Sequence, residues 1–534
     1  MTAATRAFEV EAPVAEASGP GARVRQAIER LLAAPDVITV TAIVLAATVI
    51  CLWNLNGAPE FQDDEGTYAA QAVSVQRGDL APYTYWYDHP PFGWVQLAAL
   101  AWLPQLLEVG RGTDVEAMRV AMAAFSVATC VLVYLVCRRV GARLPFSVLA
   151  AGVYLLSPLS LELGRQVYLD GIATTWLLVA FWLALSPQRA LWHHISAGVA
   201  FAIAVLSKIT AAVLGPALLV ALLDRTTWRG REFSIVGFLA LGGLTIAVYP
   251  LMALLRGELI SGPGHVSLQD AMGYQFVSRS GSGWIWDAGS HRFDLASSWI
   301  GIDPYLAVGG VFAGLVCLVA RRTRWIPVAI ACWAMPVVAS QGYLPAMYVQ
   351  GVLPFMAIAI GATADLTWHG LHRAIRMVAP GARIAGPALV AALITTAVVL
   401  IPVSNWVERD TRLMTRDLNA DWHRTLEWAA ANIPHDEVTL VPYSMWHDLN
   451  ERGWNDPWTL VVLEKVDLDS RFELEHPDGW VAIDWIIEGP TVRRNIENLD
   501  LEEAGRAYAD SEVVQSFGDW NVRRVIHPAP IDIE

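Results

Sequence analysis

Apolar stretches of bilayer-spanning length recur along this chain as far as residue 404, and they leave little choice of fold. A helix needs about 20 apolar residues to cross hydrocarbon, because lipid offers no partners to unpaired backbone groups. Such stretches fall at 36–56, 116–137, 145–161, 171–187, 191–206, 208–223, 233–255, 303–320, 325–340, 346–364 and 384–404, which is about eleven crossings. They predict a polytopic α-helical membrane protein. Charged residues make up only 16% of the chain, where a soluble domain averages about 25%.

The loops between these stretches sort by charge. Arg138, Arg139 and Arg143 fall in one loop, Arg189 in the next of the same parity, and Arg225, Arg229 and Arg231 in the one after. Arg321, Arg322, Arg324, Arg373, Arg376 and Arg383 keep that parity. By the positive-inside rule this face is cytoplasmic. Loop 57–115, the turn before Asp170, the long loop 256–302 and the C-terminal tail then face outward. The parity holds only if 91–107, apolar but broken by Pro and Gln, lies in the interface or re-enters instead of crossing. Residues 1–35 lack the apolar core of a cleavable signal and read as a flexible cytoplasmic tail carrying Arg6, Arg23, Arg25 and Arg30.

Charge also divides the chain at Asn405. From there on stand 27 of the 51 acidic side chains and only 12 of the 37 basic ones, so the tail carries essentially all of the net charge of −14. Nucleic acid is excluded as a partner, since no basic face is concentrated anywhere. Residues 405–534 read as a small extracytoplasmic α/β domain. It has a helix over 421–432, strands near 438–442, 459–463, 480–487 and 520–526, and helical character at 505–510. The membrane part then spans 36–404. Cys51, Cys130, Cys137, Cys317 and Cys332 all lie in apolar runs, without metal-ligand spacing or a disulfide framework.

The chemistry is concentrated just past the first span. Asp63, Asp64 and Glu65 stand in Phe61-Gln-Asp-Asp-Glu-Gly-Thr-Tyr68, and Tyr85-Trp-Tyr-Asp-His-Pro-Pro-Phe92 follows. Carboxylates at the edge of hydrocarbon are expensive and usually functional. Asp64 reads either as the cap of a helix over 65–77 or as a general base for a hydroxyl. Asp63 is its rival, and Glu65 completes the acidic set. Tyr68, Tyr87 and His89 are candidates for substrate contact. A divalent cation is the one candidate cofactor, held by His89 with Asp63, Glu65 or Asp88. Asp170 reads as a further acid in the outer cavity, and Arg165 as a phosphate contact or as its local ion-pair partner. Lys208, in Leu206-Ser-Lys-Ile-Thr210, is placed at the outer edge either to snorkel or to meet a lipid phosphate.

Taken together, Asp-Asp-Glu-Gly-x-Tyr after the first span, His-Pro-Pro, Arg165…Asp170 and Ser-Lys208 resemble the GT-C superfamily over about 36–404, most strongly over 61–92. Within it they resemble the family 39 and family 83 glycosyltransferases, the protein O-mannosyltransferases and the aminoarabinose transferases of lipid A. The resemblance implies a GT-C bundle and a polyprenyl-phosphate-linked sugar as donor. It further implies an acceptor hydroxyl on a protein, lipid or glycan, an active site at the outer membrane face, and inversion at the anomeric carbon. Asp64 would be the base, Asp170 the second-loop acid and Lys208 the cation near the donor phosphate. One departure stands out. Where many bacterial members carry an Arg-Tyr pair, this chain has Met347-Tyr348-Val349-Gln350. A transporter or flippase of lipid-linked sugars, and a non-catalytic scaffold, are the rival readings. Against transport, the acids gather at one face and no inverted repeat or broken-helix pair is evident.

Overall fold

The computed structural model describes residues 35–110, 112–226, 230–262, 265–378, 405–454 and 456–527. The N-terminal tail and the span expected at 384–404 lie outside the described residues. Every other expected span falls on helix. Among the described residues, four helices are long and apolar enough to cross a bilayer, or up to six if each of two bent pairs is one span. Leu169–Ala184 and Leu191–Ser207 are shorter apolar helices, packed side by side inside the bundle. Gly198 allows the second of these to touch Arg231–Ile246, since a Cβ there would lie 2.3 Å from the Phe238 carbonyl.

The bent pairs correct the expectation of unbroken spans. Leu144–Leu156 turns by 63° into Pro158–Gly164, and His291–Ile302 turns by 97° into Pro304–Val319. Each break sits before a proline, which removes a helix hydrogen bond. Each new helix is capped, by Ser157 on the Ser160 N–H and by Asp303 on the Tyr305 and Leu306 N–H groups. The two breaks meet, for the Ser157 hydroxyl donates to Asp303 Oδ2 at 2.5 Å and Trp406 Nε1 donates to Oδ1 at 3.1 Å. The N–H groups freed at the start of each second helix are therefore met by side chains of the protein.

The arginine loops do share one end. Arg138 pairs with Asp36 at 2.9 Å, Arg143 and Arg322 with buried Asp365 at 3.0 and 3.1 Å, and Arg321 with Asp224 at 3.2 Å. The opposite end carries the acidic loop and the segment 256–302. The apolar stretch after His-Pro-Pro forms two short helices, Phe92–Leu100 and Leu103–Leu107.

Beyond 405 the chain builds a five-stranded sheet ordered β2 (Leu460–Val462), β1 (Thr439–Val441), β3 (Trp485–Glu488), β5 (Trp520–Val525), β4 (Ser511–Phe517). β1 is parallel to β2 and β3, whereas β3–β5 and β4–β5 are antiparallel. β4 and the helix Tyr443–Asn450 are absent from the sequence reading. That helix is the one that docks. It packs on the helix Asp63–Arg77, so closely that a Cβ on Gly66 would lie 2.0 Å from the Tyr443 carbonyl oxygen. Gly66→Ala is therefore expected to push the sheet domain off its seat, a loss of about 1–3 kcal/mol for an overpacked contact. Faster tryptic cleavage at Arg416 or Arg424 would register it. Unchanged digestion would show that the contact gives way freely.

Candidate active site

The helix Asp63–Arg77 begins at Gln62, its N-cap, so Asp64 is its second residue and not its cap. Three acids in the first turn suit the positive end of the helix dipole. Successive residues on a helix point about 100° apart, and the three carboxylates accordingly go three ways.

Asp63 turns to the sheet domain. It accepts from the Thr491 hydroxyl at 2.8 Å, Asn495 Nδ2 at 3.4 Å and the Ser444 N–H at 3.4 Å. Glu65 turns inward and is fully buried. Arg119 grips it with two bonds of 2.6 and 2.7 Å, and the N–H groups of Gln62 and Val167 occupy the same oxygens at 3.2 and 3.0 Å. With four donors on it and no access to solvent, Glu65 is a structural group, which corrects the reading of it as catalytic.

Asp64 alone of the three is exposed to solvent, yet desolvation is the largest cause lifting its carboxyl to about 6. Accessible surface and dense surroundings together describe a group lining a narrow recess. Lys208 opposes that rise, Asp63 and Asp170 add to it, and Arg279 opposes it. These charges therefore lie within electrostatic range of Asp64.

Lys208 is thrown into the recess by a break in the chain. It takes an extended conformation, φ −153° and ψ 118°, between the helix Leu191–Ser207 and the 3-10 turn Ile209–Leu214. Gln96 of the helix Phe92–Leu100 fixes the break, donating to the Ser207 hydroxyl at 2.9 Å while accepting from Trp176 Nε1 at 2.6 Å. The Lys208 ammonium lies 2.9 Å from His89 Nε2, 3.4 Å from the Tyr68 hydroxyl and 3.6 Å from Asp170 Oδ2. A lysine ammonium only donates, so His89 accepts at Nε2 and is neutral. Burial, then Lys208, lowers its pKa to about 4. From Asp170 an apolar cavity lined by Leu177, Leu214, Trp333 and Tyr348 continues among the helices.

Two expected contacts are not part of this group. Arg165, at the end of the short helix Pro158–Gly164, is buried and donates to the Trp53 carbonyl and, at 3.8 Å, to Met414 Sδ. It braces the first span against helix 405–415 instead of meeting a phosphate. Tyr87 is fully buried, and its hydroxyl donates to Glu258 Oε2 at 2.5 Å. It packs against Tyr85 and Tyr249, supporting the loop and not lining the recess. Nor is the divalent-cation set assembled. His89 faces Lys208, Glu65 faces Arg119 and Asp63 faces Thr491. Among the described residues no group of three or more His, Cys, Asp or Glu could hold a metal ion. Arg279 is the residue the sequence reading missed. It stands in the long loop, stacked 3.8 Å over the Tyr343 ring and donating to Gln275 at 3.0 Å.

The backbone matches solved structures over nearly its whole length. ArnT from Cupriavidus metallidurans, solved bound to undecaprenyl phosphate, superposes with a TM-score of 0.56 at 15% identity, covering 91% of this chain and 98% of that one. The chain has the GT-C fold. A second GT-C protein is also similar, the archaeal oligosaccharyltransferase AglB from Archaeoglobus fulgidus in complex with an inhibitory peptide and a dolichol-phosphate. Its TM-score is 0.52 at 12% identity, over 87% of this chain and 71% of that one. The family model described as dolichyl-phosphate-mannose-protein mannosyltransferase matches residues 88–252. That stretch of the GT-C frame holds His89, Asp170 and Lys208 and stops short of Arg279. No curated protein matches by sequence.

Proposed function

We propose that this protein is an inverting glycosyltransferase that moves a sugar from a polyprenyl phosphate to an acceptor hydroxyl at the extracytoplasmic face. One observation carries the reading: the Lys208 ammonium meets the Tyr68 hydroxyl, one helical turn from the unpaired carboxylate of Asp64, and both Lys208 and Arg279 act on that carboxylate through their charge. In the proposed reaction Asp64 removes the proton from the acceptor hydroxyl. That oxygen bonds to C1 of the sugar from the face opposite the phosphate, and the C1–O bond to the phosphate breaks with its electron pair. The polyprenyl phosphate leaves as an anion and needs no proton. Lys208 and Arg279 meet its growing charge, the form of stabilisation expected of fixed cations in a partly desolvated site. His89, Tyr68 and Asp170 hold the ammonium in place. Arg279 supplies a cation in a chain whose Met347-Tyr348-Val349-Gln350 offers none.

The likeness to proteins solved with undecaprenyl phosphate and dolichol-phosphate supports the donor class. The test is transfer from labelled undecaprenyl-phosphate sugars by the full chain in nanodiscs. Lys208→Ala is expected to raise the donor KM roughly 10- to 100-fold, the worth of one charge-assisted hydrogen bond. An unchanged donor KM would remove Lys208 from the phosphate. Product of retained configuration would overturn direct displacement.

A further inference from the structure

Glu464 follows β2 at the turn into the short helix Lys465–Leu468. Its Oε1 accepts from Asn495 Nδ2 at 3.4 Å, the amide that also donates to Asp63. Its Oε2 is buried and has no partner. The neighbouring lysine does not serve it. Lys465 is held 3.5 Å over the Trp86 ring and 3.8 Å from Asp469. Buried polar atoms are nearly always paired, so a lone carboxyl oxygen calls for a ligand. Glu464 stands within the field of Asp63 and Asp64, which add to the effect of burial in pushing its carboxyl up to about 7.

We propose that Glu464 holds the acceptor, taking a hydrogen bond from a second hydroxyl of a glycan while Asp64 acts on the first. This rests on the transferase reading above. Two carboxyl groups, one from the helix Asp63–Arg77 and one from the sheet domain, call for two hydroxyl donors near one another. A serine or threonine side chain brings one hydroxyl, whereas a sugar ring brings neighbours. Glu464 forms and breaks no covalent bond. It orients the acceptor oxygen toward Asp64 and makes the sheet domain the part that selects it.

The experiment uses the full chain in nanodiscs with undecaprenyl phosphate, and octyl α-mannoside or acetyl-Ala-Ser-Ala-amide as acceptor probes. Saturation-transfer NMR reads binding without turnover. Ring-proton signals from the mannoside are expected with the wild type, lost in Glu464→Ala and partly restored in Glu464→Asp, with unchanged thermal unfolding. With an undecaprenyl-phosphate sugar donor, Glu464→Ala should raise the mannoside KM about tenfold, as one hydrogen bond to a charged group would, and change kcat far less. Equal mannoside binding by wild type and Glu464→Ala, no mannoside binding by the wild type, or use of the peptide as readily as the mannoside would each overturn it. Failure of the transferase reading shows differently, as no sugar transfer by the wild type from any undecaprenyl-phosphate donor to either probe.

Discussion

Asp64→Asn is expected to lower sugar transfer roughly 100- to 10,000-fold, the range a positioned general base supplies, while undecaprenyl phosphate still binds. The amide keeps the shape of the carboxylate and loses only its ability to take the proton. The pH profile gives a second reading. The base works deprotonated, and its carboxyl is lifted from 3.8 to about 6. Activity is thus expected to be half-maximal near pH 6, to be full from about a unit above it, and to fall by about a factor of ten per unit well below it. Lys208 holds that carboxyl down and Asp63 pushes it up. Lys208→Met should move the acid limb to higher pH, and Asp63→Asn should move it lower. A limb that ignores both substitutions belongs to some other group, and near-normal turnover by Asp64→Asn would end the assignment.

Arg119→Ala is expected to destabilise the protein by about 3–5 kcal/mol, because it leaves the Glu65 charge buried and unpaired. Both side chains are fully buried and meet at 2.6 Å. Arg119 also donates to the carbonyls of Leu55 at 3.1 Å, Pro59 at 2.8 Å and Glu60 at 3.2 Å, and lies 4.4 Å over the Phe61 ring. It therefore folds the chain between the first span and the acidic helix. Thermal unfolding in detergent measures the loss. Replacing both partners by leucine removes the stranded charge and should recover part of it, but not all, since the Leu55 carbonyl loses its donor and the Pro59 and Glu60 carbonyls keep only the side-chain amides of Asn419, and of Gln62 and Gln166. Full recovery by the double variant would show that the carbonyl bonds contribute nothing.

Much of this was legible in the residues. Span-length apolar runs and arginine parity gave the bundle and its basic end, since both follow from composition and spacing. The acidic run located the recess. What it hid was the division of labour, because adjacent letters become divergent directions once a helix forms, and Asp63, Asp64 and Glu65 part company within one turn. Arg165 read as a phosphate ligand by proximity to Asp170, but the end of a seven-residue helix turns it inward. The broken helices did leave a signal, Ser157-Pro158 and Asp303-Pro304, a cap followed by a proline in each. Arg279 left little, a cation among Gly, Ser and aromatic residues that only tertiary folding brings to Asp64. β4 was hidden for another reason. Ser511–Phe517 is an edge strand whose side chains are mostly exposed, so no alternation of apolar and polar residues marks it.

One peptide bond joins the proposed base to a residue tied into another body. Asp63 is knotted to Thr491 and Asn495, and Asp64 comes next. The aim of the proposed base is thus set from the sheet domain, and not by the helix bundle alone. An antibody fragment that pried this domain away is expected to lower sugar transfer without touching Asp64 itself.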